Sequence, residues 1–212
     1  MLQEAGKMNF DWLHLDVIPL VFSWPYGLPF WIVYVWFFIP EMRIFRAPTG
    51  TKARSAQDAG SIKVILIGGQ LGGIAGFAAA FLLPGATILQ DRLLVYWIGI
   101  VLFTAAEVLR RHCFKMLGKS FTGSVIVQPD QPIVERGAYK WVRHPSYSAA
   151  FLLYIGLGLA LGNWMSVVIF NAFAIIVYSY RIIVEERALV ATLGEPYRDY
   201  MRRTKRIIPF VL

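Results

Sequence analysis

The stretch WMSVVIFNAFAIIVYSYRIIV (Trp164–Val184) decides the fold, since Arg181 is its only charged residue. It is long enough, as a helix, to cross roughly 30 Å of hydrocarbon. Working back along the chain, a short turn at Gly162 and Asn163 separates it from another apolar run, Tyr147–Leu161, and the two read as a tight helical hairpin. Ile62–Leu83 and Leu93–Leu109 are further apolar runs of spanning length. Val17–Ile39 is a fifth, and Pro19, Pro25 and Pro29 predict a kinked or irregular start for it. The fold class is therefore all-α, a polytopic membrane protein of about five transmembrane helices. Composition agrees: 57% of the 212 residues are hydrophobic and 16% charged, against about 45–50% and about 25% in ordinary soluble domains.

The net charge of +8 is unevenly placed. Basic residues gather after the first run (Arg43, Arg46, Lys52, Arg54, Lys63), between Arg110 and Arg143, and in the tail (Arg198, Arg202, Arg203, Lys205, Arg206). The connections at 84–92 and 162–163 carry almost none. Five spans put every basic segment on one side, which the positive-inside rule makes cytoplasmic. The N-terminus is then outside and the C-terminus inside. Such clusters serve topology and lipid headgroups, and no nucleic-acid partner is expected. With Glu4, Asp11 and Asp16 against one Lys7, no cleavable signal peptide is expected. Cys113 is the only cysteine, which excludes an intrachain disulfide, and it is expected to pack quietly. The scattered histidines His14, His112 and His144 give no metal site.

The chain divides near residue 112 into an N-terminal part of three spans (1–111) and a C-terminal region (112–212). In the first part, Gly68, Gly69, Gly72, Gly73 and Gly76 form small-xxx-small patterns that let helices approach closely. The partner is either another helix of the chain or a second copy in a homodimer. Glu107 and Arg111 form an i, i+4 pair, and with Arg110 they read as structural. In the second part, the long polar stretch 114–146 holds enough apolar residues (Val125, Val127, Ile133, Val134) to order beside the membrane. Past Val184 the text turns amphipathic, with Gly194 and Pro196 breaking that helix in two.

Two strings carry candidate chemistry. In Arg143-His144-Pro145-Ser146-Tyr147, the proline restrains His144 and suits a first helical position. His144 should stand at a helix start whose free N–H groups, at residues 146–148, face an anionic group; capping alone is the other reading. Glu185 and Glu186 leave a span where topology favours cations, and their directions differ by about 100°. One should face a pocket and the other pair outward. Arg181, one turn before Glu185, is the expected structural partner of Glu185, which leaves Glu186 as the functional member.

These strings, with Gly137-x-Tyr139, Leu189, Gly194-x-x-Tyr197-x-x-Tyr200, Arg206 and Pro209, resemble the isoprenylcysteine carboxyl methyltransferase and phospholipid methyltransferase superfamily of integral membrane methyltransferases. Ala149 departs from the family, which often has glycine there, and its methyl would tighten a cofactor site. The resemblance implies an S-adenosyl-L-methionine pocket at the cytoplasmic face, built by the C-terminal half. Val134, Gly137, Tyr139, Arg143, His144, Tyr147, Glu185 and Glu186 would bind the cofactor. Arg181 would orient an anionic acceptor, and Glu186 would act as base if the acceptor were an amine. The acceptor would be an isoprenoid or lipid-like molecule in the bilayer, with carboxylate O-methylation favoured. The membrane would be a bacterial or archaeal inner membrane, or otherwise the endoplasmic reticulum. An NADPH-dependent reductase of the sterol-reductase type, which shares the Arg-His-Pro string, and a non-catalytic scaffold are the alternatives.

Overall fold

The structure is a computed structural model that describes residues 18–45 and 57–208, with side chains throughout except at 39–45 and 119. Arg46, Lys52 and Arg54 of the expected basic loop, and Pro209, fall outside the described residues, and Arg43 is described only in its backbone, within α1. Among the described residues the bounded α-helices are, in order, α1 (Gly27–Phe45), α2 (Ser61–Leu82), α3 (Arg92–Leu117), α4 (Pro145–Ala160), α5 (Trp164–Leu193) and α6 (Glu195–Arg203). No strand occurs among the described residues.

α2, α3 and α5 are long and apolar enough to cross a membrane; Gly27–Phe38 and α4 are shorter apolar helices. At 16 residues, α4 is only about 24 Å long. The first helix begins at Gly27 rather than near residue 17, because the segment holding Pro19 and Pro25 forms a 3-10 turn at Leu20–Phe22 and then bends back.

α3 packs along α4, α2 along α5, and α4 against α5. Bare backbone permits the first of these contacts. A Cβ on Gly99 would lie 2.4 Å from the Ala160 nitrogen, and one on Gly156 would lie 2.5 Å from that of Phe103. The α2 glycines present two faces. A Cβ on Gly68, Gly72 or Gly76 would strike Val177, Phe173 or Phe170 of α5, so that face is filled within the chain. Gly69 and Gly73 have open space beside them. The core joins all five long helices through Phe30, Ala80, Tyr96, Phe103, Leu153 and Phe170. Residue 112, where the sequence reading divides the chain, lies inside α3.

The two connections poor in positive charge meet at one end of the bundle. The Ile88 N–H donates to the Gly162 carbonyl at 2.8 Å, and the Asn163 amide donates to the Leu83 carbonyl at 3.1 Å while its oxygen caps α5 at the Ser166 N–H. At the other end, α5 runs unbroken past Val184 to Leu193, where Gly194 stops it at φ 65° and Pro196 opens α6. Beneath that end the irregular segment 118–144 is ordered against the helices.

Candidate functional site

Pro145 starts α4 and leaves His144 outside it, at φ −125° and ψ 56°, neither helical nor the extended conformation expected. The His144 side chain does not cap the helix. Its ring is buried and stacks on Tyr147, with Nε2 3.3 Å from Glu186 Oε1. Its carbonyl accepts from the Tyr147 and Ser148 N–H groups, so those donors are spent inside the turn and not offered to an anion. The tail holds this segment in place. Residues 141–144 pair with 205–206 through the N–H groups of Arg143, His144 and Lys205.

The glutamates separate as their angular difference requires, with Glu185 at the cavity and Glu186 turned away from it. Glu186 is buried. Arg143 Nε donates to its Oε1 at 2.8 Å and Arg206 Nε to its Oε2 at 3.0 Å. Burial opposes its charge, but the hydrogen bonds and charges of His144 and Arg143 prevail and hold its carboxyl at about 2. It closes a clamp across helix, loop and tail, and it does not reach the cavity. Glu185 does, with its side chain 29% exposed against 6% for Glu186. It accepts from the Tyr147 hydroxyl at 2.8 Å.

Arg181 also has other partners than expected. It makes no hydrogen bond or ion pair with Glu185. Its Nη1 donates to Asp58 Oδ1 at 2.8 Å and Ser61 Oγ at 2.6 Å, its Nη2 to the Gly123 carbonyl at 2.8 Å, and its Nε to the Tyr147 hydroxyl at 3.4 Å. A guanidinium so engaged is a poor clamp for an acceptor. Burial would raise the Asp58 carboxyl, but hydrogen bonds from the Val125 and Ile62 N–H groups and from Ser61, with the Arg181 charge, lower it.

These residues surround a cavity of about 140 Å³ between segment 120–134, α3, α4 and α5. Val134, Tyr139, Arg143, His144, Tyr147 and Glu185 line it, as does Arg181; Gly137 and Glu186 do not. Gly137 instead holds a left-handed turn (φ 59°) against Met116, and a Cβ there would lie 2.5 Å from its sulfur. Ala149 is wholly buried away from the cavity, so its methyl does not narrow it. Tyr139, Tyr197 and Tyr200 also line the wall, and burial raises all three hydroxyls, which remain protonated.

A second, apolar groove of about 550 Å³ lies against α1 and α2, with Tyr34, Phe37, Gly69, Gly73 and Phe77 among its walls. It shares Ile65, Arg110 and Tyr178 with the first cavity. Arg110 is buried, and its Nη1 lies 3.5 Å from the Tyr178 hydroxyl. Sequence reading gave Arg110 a structural role and passed over Asp58 and Tyr178. The signal at Arg110 was its proximity to Glu107 at the inner end of a span; Asp58 and Tyr178 gave none.

The isoprenylcysteine carboxyl methyltransferase family matches residues 97–191, from α3 through nearly all of α5. Over that stretch the chain is similar to the isoprenylcysteine carboxyl methyltransferase superfamily. It is similar to the protein-S-isoprenylcysteine O-methyltransferase of Tribolium castaneum, with 30% identity over 122 residues, covering 55% of this chain and 43% of that protein. Against the Arabidopsis thaliana protein-S-isoprenylcysteine O-methyltransferase B it is 32% identical over 124 residues, covering 55% and 61%. A solved structure of a eukaryotic intramembrane Ras methyltransferase, an isoprenylcysteine carboxyl methyltransferase, superposes with a TM-score of 0.56 at 26% identity, covering 69% of this chain and 52% of that one. The chain thus spans about half the length of the curated relatives it matches. The superfamily match, together with the apolar helices, makes it an integral membrane protein.

Proposed function

We propose that this chain is an S-adenosylmethionine-dependent methyltransferase acting on a membrane-embedded isoprenoid or lipid-like acceptor, a prenylated cysteine carboxylate above all. One observation carries the reading: the cavity that holds Glu185 and the apolar groove meet at Arg110 and Tyr178. An acceptor whose chain lay in the groove would bring its head to that junction. The superfamily match supports methyl transfer, and the reductase and scaffold alternatives draw no support from it.

The cavity's residues fit the cofactor. Val125, Val127, Val134 and Leu193 offer apolar wall for an adenine ring, and Glu185 offers the partly exposed carboxylate for ribose hydroxyls or an amino group. Arg143 and His144 hold the wall at the α4 start, and the protonated Tyr139 and Tyr197 can donate hydrogen bonds, while Tyr200 already donates to the Tyr139 carbonyl. S-adenosylmethionine would supply an electrophilic methyl group on a positive sulfonium. An ionised carboxylate acceptor needs no base, so the protein's task is alignment, which is worth several kcal/mol of barrier when well executed. We assign to Arg110, at the junction, the anchoring of the acceptor carboxylate that sequence reading gave to Arg181. Glu186, neutralised by Arg143 and Arg206, is not available as a base. The open α2 face at Gly69 and Gly73 belongs, in this reading, to the acceptor chain rather than to a second copy. Five spans with the cavity facing the cytoplasm follow from the charge placement.

The test supplies labelled S-adenosylmethionine to the protein in nanodiscs with N-acetyl-S-farnesylcysteine or with an amine-bearing phospholipid. A carboxyl methyl ester is cleaved by alkali and an N-methyl group is not. Alkali-labile label on the prenylated cysteine is expected. Label only on the phospholipid, resistant to alkali, would replace the acceptor assignment.

A further inference from the structure

Asp58 lies outside the family match and does not line the cavity, yet it is 4% exposed and ionically paired deep in the structure. It sits just before α2, whose Ile62 N–H donates to its Oδ2 at 3.0 Å. Its Oδ1 receives Arg181 from α5 and the Val125 N–H from across the chain, both at 2.8 Å. Gln57 beside it accepts from the Val127 N–H at 3.1 Å. Arg181 grips the same strand of backbone from the other side, through the Gly123 carbonyl. Residues 123–127 are thus a strap hung between the start of α2 and the middle of α5. Val125 and Val127 cluster with Val184 and Ala188, Leu189 and Leu193 pack against that cluster, and the two valines and two leucines together form cavity wall. Where the strap sits sets how wide the cavity is. α2 also walls the apolar groove, one turn further on at Ile65.

We propose that Asp58 is a positioning residue for the methyl-transfer site: paired with Arg181, it fixes the strap 123–127 against the start of α2, and so holds the cofactor cavity in register with the acceptor groove. This rests on the methyltransferase reading above. Asp58 touches neither ligand; it acts through Val125 and Arg181. Removing its charge leaves a buried guanidinium uncompensated, which costs far more than the loss of a surface pair, and the readiest relief is for Arg181 to release Gly123 and the strap with it.

The test is S-adenosylhomocysteine affinity in nanodiscs, well below the melting temperature, for wild type, Asp58→Asn, Arg181→Lys, the double variant and Gln57→Ala. Asp58→Asn is expected to weaken binding at least tenfold, and the double variant no more than the worse single one, because both changes free the same strap. Gln57→Ala removes one neutral acceptor and is expected to weaken binding about threefold. It decides the matter if Asp58→Asn does not fold. A purely structural ion pair would lower the melting temperature and leave the affinity of the folded fraction unchanged, and that result overturns the proposal while the methyltransferase reading stands. If wild type itself fails to bind S-adenosylhomocysteine, the methyltransferase reading fails and this proposal falls with it.

Discussion

Substituting Glu186 by Gln removes one charge from a buried clamp of Arg143, His144 and Arg206. A carboxyl held at about 2, against an ordinary 4.5, corresponds to on the order of 3 kcal/mol of native-state stabilisation at neutral pH. Breaking a buried pair by removing one partner costs about 3–5 kcal/mol. The lower figure is preferred, because Gln retains one acceptor oxygen and Arg206 is half in solvent. For a chain of this size that is a fall in melting temperature of roughly 6–12 °C. The sign with pH follows from the depressed value: the stabilisation is complete above about 4.5 and is lost as pH falls toward 2. The assay is a tryptophan-fluorescence melt in nanodiscs at pH 7, 5 and 3.5. The wild-type advantage over Glu186→Gln should shrink between pH 5 and 3.5. Glu185→Gln is the counter-experiment. Its Gln oxygen can still accept from Tyr147, so the melt should barely move, while S-adenosylhomocysteine affinity should fall about tenfold, or about 1.4 kcal/mol. Equal melting temperatures for the wild type and Glu186→Gln, or a loss of cofactor affinity confined to Glu186→Gln, would refute the reasoning.

Three further outcomes follow from the packing. Arg110→Gln should raise the KM for a prenylated cysteine at least tenfold and leave S-adenosylhomocysteine affinity within about threefold, as measured by initial rates and titration. Gly72→Ala should destabilise, because its Cβ would lie 2.7 Å from that of Phe173, while Gly73→Ala, with nothing within 4 Å, should melt at or above wild type, Ala being about 1 kcal/mol the better helix former. Cysteines at Gln90 and Asp130, both exposed at opposite ends of the bundle, should label from opposite sides of sealed vesicles; equal labelling from one side rejects the five-span orientation.

Local patterns were legible in the sequence and distant pairings were not. Apolar length found the helices, and Gly162–Asn163, Gly194 and Pro196 marked their turns. Pro145 placed His144 at the α4 start, and the divergence of Glu185 and Glu186 followed from helix geometry alone. Which of the two faced inward depended on Arg143 and Arg206, 43 and 20 residues away, and no period in the text encodes them. Arg181 misled for the same reason. Glu185 is one turn from it along the helix, but Asp58, 123 residues back, reaches its buried side first. Gly137 was read as cavity wall because it stands in a motif whose other members line the site; its positive φ shows that the backbone needed it for the turn. Arg110 was set down as structural beside Glu107 because only the groove from α1 and α2 reveals that it stands between two cavities.

In the proposed function, segment 120–134, α4 and α5 form an S-adenosylmethionine site opening on an apolar groove. Calorimetric titration of the wild-type protein in nanodiscs with S-adenosylhomocysteine, and separately with NADPH, tests it most directly. Saturable binding of S-adenosylhomocysteine, weakened about tenfold by Glu185→Gln, is expected, with no heat from NADPH. Saturable NADPH binding without any response to S-adenosylhomocysteine would contradict it.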